Sequence, residues 1–142
     1  MPKRVKAVLI LMTVVALGIF VSLAFIGGSS AGCTTPDAIV RVAPDCDESV
    51  FQQAPILVEL ATGYRAELAL NGTPIPLDEV TTNVGGDNPG VGAAPTVFSF
   101  LPGPGKVIEE LRPNENCAVV SYWLIADSQQ NARNFRWCFR AA

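Results

Sequence analysis

Hydrophobic positions along the chain fall into two regimes. From Ala7 to Ile26 they run for 20 residues without a charge, and beyond Gly27 they come as short runs cut by Gly, Pro, Asn and Asp. The first regime predicts a helix able to cross the ~30 Å hydrocarbon core of a bilayer at ~1.5 Å per residue. Pro2-Lys3-Arg4-Val5-Lys6 precede it, and no charge follows it until Asp37. That asymmetry holds the N-terminus in the cytoplasm and places residues from about Gly27 outside. Residues 1–6 then form a basic cytoplasmic start, 7–26 a transmembrane anchor, 27–38 a linker and 39–142 an extracytoplasmic domain at the cell membrane. Two competing readings export the same domain. Ser29-Ser30-Ala31 fits cleavage of an export signal, although such apolar cores usually span only ~7 to 15 residues. Ala31-Gly32-Cys33 resembles the end of a lipidation motif, but Ser30 stands where that motif wants an aliphatic residue.

The second regime predicts strands. Ile39 to Ala43, Ile56 to Thr62, Arg65 to Leu70 and Thr96 to Leu101 carry the short apolar or alternating pattern, with Ala66, Leu68 and Leu70 set against Arg65, Glu67 and Ala69. Pro44 to Ala54 is a loop, and Asn71-Gly72 marks a tight turn. Asn71-Gly72-Thr73 also matches a glycosylation sequon, here incidental to the turn and to the Pro74 that follows. Pro76 to Pro95, rich in Gly, Pro and Asn, reads as a surface loop. Lys106 to Leu111 has room for one or two helical turns before Arg112-Pro113-Asn114 ends them. Cys117 to Ala126 and Arg133 to Arg140 form a closing hairpin. Six or seven strands without a long amphipathic helix make an all-β fold, a β-sandwich.

Side chains alternate across a strand, so the hairpin can be divided by face. Ala118, Val120, Tyr122, Leu124, Phe135, Trp137 and Phe139 form the core face. Cys117, Val119, Ser121, Trp123, Arg136, Cys138 and Arg140 share the other. Direct opposition of Cys117 and Cys138 centres the turn on Asp127-Ser128, a poor two-residue loop, which predicts a longer connection with a bulge.

All four cysteines, Cys33, Cys46, Cys117 and Cys138, follow the apolar run, in a compartment where disulfides persist. Three pairings are possible. Cys33 with Cys46 and Cys117 with Cys138 is favoured, the second pair because both members sit in the last two strands. A zinc site would need CxxC-like spacing or a histidine, and the chain has neither.

Composition narrows the chemistry further. Beyond Ile26 there are seven basic residues against 13 acidic ones, a net charge of −6, so nucleic acid is not an expected partner. The absence of histidine excludes Ser-His-Asp and Cys-His catalysis, and Lys106 is the only lysine after the anchor. Glu109 and Glu110, if helical, diverge by ~100° rather than flanking a substrate. Gly103-Pro104-Gly105-Lys106 lacks the preceding Gly and following Ser or Thr of a phosphate loop. Asp45, Asp47, Glu48 and Asp87 are oxygen donors suited to Ca²⁺, but their spacing follows no calcium loop and solvated surface charge is the simpler role. No cofactor, metal or enzymatic activity is expected.

Val42-Ala43-Pro44, a short acidic loop, and then Gln53-Ala54-Pro55-Ile56-Leu57-Val58-Glu59-Leu60 resemble the opening of bacterial Ig-like domains, including those related to the copper-resistance protein CopC. The closing segments are similar too: Val119-Val120-Ser121-Tyr122-Trp123-Leu124-Ile125-Ala126-Asp127, then Phe135-Arg136-Trp137-Cys138-Phe139. The resemblance covers most of residues 39–140 as a pattern and implies an Ig-like β-sandwich. Copper binding in that group relies largely on histidines, absent from this chain, so the resemblance implies the fold without the metal function.

Trp123 on the outer face, with Arg133, Arg136 and Arg140, is the candidate partner-binding patch, because Trp and Arg most often anchor protein interfaces. A cation–π stack capping an exposed sheet is the competing role. The expected function is a membrane-anchored extracytoplasmic binding or assembly protein, an accessory subunit of a membrane complex. The rival is an outer-surface module binding a small molecule, glycan or metal ion through the loop 78–92.

Overall fold

The computed structural model describes residues 32–84 and 95–142. The expected anchor at 7–26, the stretch Gly85 to Gly90 and the candidate Asp87 lie outside the described residues. Among the described residues, no helix is long and apolar enough to cross a membrane.

Nine strands follow in order: β1 (Ile39–Ala43), β2 (Ser49–Val50), β3 (Ile56–Leu60), β4 (Tyr64–Leu70), β5 (Thr73–Pro74), β6 (Thr81–Val84), β7 (Thr96–Phe100), β8 (Asn114–Leu124) and β9 (Arg133–Ala141). Six fall on the expected strands, β6 arises within the expected loop, and β2 and β5 are two-residue additions at the sheet edges. One sheet has the order β1-β3-β7-β6 and the other β2-β9-β8-β4-β5. The fold is all-β, in two sheets.

Period-two patterning explains why these segments pair as they do. In β3, Ile56, Val58 and Leu60 are buried while Leu57 and Glu59 turn partly outward. Ala66, Leu68 and Leu70 of β4 are buried, as are Ala118, Val120, Tyr122, Trp137 and Phe139 of the hairpin. Together with Ile39, Val42, Phe98 and Phe100 they form one apolar cluster. Each large side chain so buried contributes about 1.5–3 kcal/mol of transfer free energy. In β1 the ladder shifts register between Ile39 and Arg41. That irregularity lets Ile39 and Val42, three apart, both face inward while Val40 stays exposed.

Trp137 is 2% exposed, stacks on Phe135 at 5.9 Å between ring centroids, and donates its indole N–H to the Pro44 carbonyl at 2.9 Å. The bond ties β9 to the end of β1. Asn116 is fully buried, and its amide serves as a junction. Its Nδ2 donates to the carbonyls of Arg112 (2.7 Å) and Asn114 (3.3 Å), and its Oδ1 accepts from Arg112 N (3.0 Å) and Asn71 Nδ2 (2.9 Å).

Asn71 and Gly72 both take positive φ, 52° and 81°, the backbone that a type I′ turn between β4 and β5 requires. The Asn71 amide is occupied at both ends, since its Oδ1 also accepts from Cys117 N.

Four expectations are corrected. Pro76 to Pro95 is not wholly loop: a 3-10 turn, Leu77–Glu79, leads into β6, whose Thr81, Thr82 and Asn83 are exposed. Lys106 to Leu111 forms no helix. Carboxylates and main chain hold it instead: Val107 N donates to Glu79, Gly105 N to Glu109 Oε1, and Gly103 N to the Ile108 carbonyl, while Leu111 is buried. In the hairpin, Cys117 and Cys138 do stand directly opposite, yet the ladder runs unbroken from Asn114↔Ala141 to Tyr122↔Arg133 without a bulge. The strands part before the turn, and residues 125–132, with a 3-10 turn at Gln129–Asn131, make the connection. Leu124, expected in the core, is 41% exposed because β8 there extends past the start of β9.

Candidate functional site

Both disulfides form, Cys33–Cys46 and Cys117–Cys138, and no free cysteine remains among the described residues. The first staples the linker to the loop after β1. Asp45 organises that corner: its Oδ1 accepts from the main-chain N–H groups of Cys33 and Cys46, each at 2.8 Å, and its own N–H donates to Glu48. Cys33, Asp45 and Cys46 bring ligand atoms close together, as do Glu115, Cys117 and Cys138. In each group the two sulfurs are bonded to one another, so neither offers the thiolates a metal would take. Asp45 and Glu48 therefore act as turn caps, while Asp47 is exposed.

Trp123 stands half-buried on the outer face of β8, directly across from Arg65 of β4. Arg133, opposite Tyr122 on β9, lines a cavity of about 220 Å³ with Trp123, Tyr64 and Asp127. The structure thus brings Trp123 and Arg133 to one place. Arg136 is opposite Val119 and donates from Nη2 to Cys117 Sγ at 3.1 Å, so it covers the disulfide. Arg140 pairs with Glu115. At ~3.4 Å per residue along a strand, these two levels lie roughly 13 and 27 Å from Trp123. Among the described residues the cation–π contact is Lys106 over Phe100, at 5.5 Å, rather than an arginine over Trp123.

Trp123 also borders a larger cleft, about 580 Å³, which the sequence reading missed. Its walls are Tyr64, Ala66, Phe98, Thr82 and Thr96, and its rim holds Arg65, Glu67, Leu77, Ile125 and Gln129. The cleft opens because the chain changes sheets there. β5 pairs with β4 only at Ala69 and Leu70, Ile75 N donates once more to the Leu68 carbonyl, and the chain then crosses to join the other sheet as β6. The 3-10 turn Leu77–Glu79 then takes the chain off this edge, so the pairing does not continue. Gln129 Nε2 donates to Glu67 Oε1 at 2.9 Å, fastening the β8–β9 connection to the rim. Leu77 and Ile125 are 65% and 57% exposed. In the sequence Leu77 was only an apolar residue inside an expected loop, and Ile125 only a residue near the end of an expected strand.

Neither the protein-family models nor the curated proteins yield a match to this chain.

Proposed function

We propose that this chain is a membrane-anchored extracytoplasmic binding protein, an accessory subunit that presents an Ig-like sandwich to a protein partner. The anchor rests on the uncharged run Ala7 to Ile26 and the basic residues before it. Strand order supports the Ig-like assignment. The order β1-β3-β7-β6 opposite β2-β9-β8-β4-β5 corresponds to strands A-B-E-D against a G-F-C sheet carrying short additions at both edges. The cross-strand bridge Cys117–Cys138 within the second sheet departs from the inter-sheet disulfide of antibody domains.

The observation that carries the function is the position of Trp123, which borders one cleft with Arg65 and the exposed Leu77 and Ile125, and a second, smaller cavity with Arg133. Tryptophan and arginine are among the residues that protein interfaces enrich, and the buried centre of such a patch is more apolar than its rim. The chemistry of the exported part points the same way, since it lacks histidine as a general base or metal ligand. The test is gentle detergent extraction of the tagged full-length chain from its own membranes, with native mass measured for wild type, Trp123→Ala with Arg133→Ala, and Arg140→Ala. The reading expects a stoichiometric partner that the double variant loses and Arg140→Ala keeps. The size of the cleft, within the ~300–1,000 Å³ of small-molecule sites, favours the ligand module as the second reading. A lone wild-type monomer would select it and direct screening to glycans and divalent ions.

A further inference from the structure

In β4 the direction of each main-chain hydrogen bond follows from those at its two ends. Ile125 N donates to the Gly63 carbonyl and Asn71 N to the Cys117 carbonyl, so the odd-numbered residues between them exchange their bonds with β8. Tyr64, Ala66 and Leu68 point their N–H and C=O groups the other way. Leu68 is met by Ile75 N at 2.9 Å. Among the described residues no strand pairs with Tyr64 or Ala66 on that side, and both line the 580 Å³ cleft. The result is a short sheet edge with two donors and two acceptors, at the spacing of alternate strand residues, beside an apolar-walled cleft.

From this we infer that the edge of β4 at Tyr64 and Ala66 takes an extended segment of the partner protein as an added strand, an inference that rests on the binding-protein reading above. Two residues presenting both N–H and C=O in strand register match an extended peptide backbone and form up to four main-chain hydrogen bonds with it. The 3-10 turn Leu77–Glu79 and the change of sheet after it keep the chain's own β5 from filling the position. Side chains of the added strand alternate in direction. Those facing inward enter the cleft against Phe98 and Leu77, and those facing outward lie beside Arg65, Glu67 and Trp123. The segment recognised is therefore an alternation of apolar and polar residues, with polar groups able to pair with a guanidinium or a carboxylate.

The experiment uses the full-length chain in lipid nanodiscs, screened against a displayed library of linear decapeptides. The inference expects the selected peptides to share the apolar–polar alternation. It also expects binding to fall about tenfold or more when the peptide is N-methylated at alternate positions on one register, and little on the other. Ala66→Pro removes the edge N–H without touching the β8 ladder, and Leu77→Asp charges the cleft. Each weakens the peptides by a similar factor, with unfolding curves checking that the fold is kept. Selected peptides without alternation, or indifference to N-methylation and both variants, overturn the inference. Absence of any binding peptide while the native mass still shows a partner also overturns it, and leaves the subunit reading standing. Absence of both peptide and partner removes the two together.

Discussion

Asn116→Ala removes the only polar side chain that is completely buried among the described residues. Four hydrogen bonds go with it, to Arg112 N, Arg112 O, Asn114 O and Asn71 Nδ2. A typical internal hydrogen bond nets about 1 kcal/mol, and a buried group left without a partner costs about 1–3 kcal/mol. Arg112 and Asn114 are exposed residues and Asn71 is half-buried, so water recovers part of the loss and the lower values apply. The expected destabilisation is about 3 kcal/mol, roughly 10–20 °C in Tm for a domain of this size. Thermal and urea unfolding followed by circular dichroism, with disulfides intact, measures it. Asn116→Asp keeps the volume and one acceptor but loses the donors, and is expected to cost nearly as much. Asn71→Ala costs about 1–2 kcal/mol, and the double variant shows about 1 kcal/mol of coupling. A loss below about 1 kcal/mol for Asn116→Ala, or simple additivity with Asn71→Ala, would refute the junction.

Trp137→Phe keeps an aromatic ring but leaves the Pro44 carbonyl without its 2.9 Å donor, a cost of about 1–3 kcal/mol. Trp137→Ala adds a cavity and costs about 3–5 kcal/mol, and equal costs for the two in urea denaturation would contradict the hydrogen bond. Replacing Cys117 and Cys138 by alanine opens a loop with sequence separation 21 and lowers stability by about 3 kcal/mol by chain entropy, read from chemical denaturation. Trp123→Ala, by contrast, touches a half-buried outer-face residue and costs about 1 kcal/mol or less in the same assay, so any loss of association it causes is not a loss of fold.

Where apolar residues alternate, the sequence was legible. β1 matched its expected limits, and β3, β4 and β7 differed by a residue or two. The face assignment of Trp137, Phe139 and Val120 also held. β6 escaped because Thr81-Thr82-Asn83-Val84 is an edge strand whose first three residues are exposed, so it carries no hydrophobic signal. The segment from Lys106 to Leu111 misled because Glu79, more than 20 residues earlier, supplies the acceptor for Val107 N. No local pattern reports such a contact. The longer hairpin connection was legible, but the expected bulge is absent because the strands part at Tyr122↔Arg133 before the turn. Trp123 was legible as an outer-face residue, and Arg133 as a basic neighbour. Their meeting around one cavity, and the separation of Arg136 and Arg140 along β9, depend on register. The larger cleft was illegible, because it arises from the chain's change of sheets between Ile75 and Thr81.

The most direct test of the account places photocrosslinking residues at Arg65, Leu77 and Arg140 of the full-length chain in its own membranes, with adducts identified by mass. The account predicts one recurring protein adduct from positions 65 and 77 on the cleft rim, and none from position 140 at the far end of β9. Adducts from position 140 alone, or none from any position at native abundance, would contradict it.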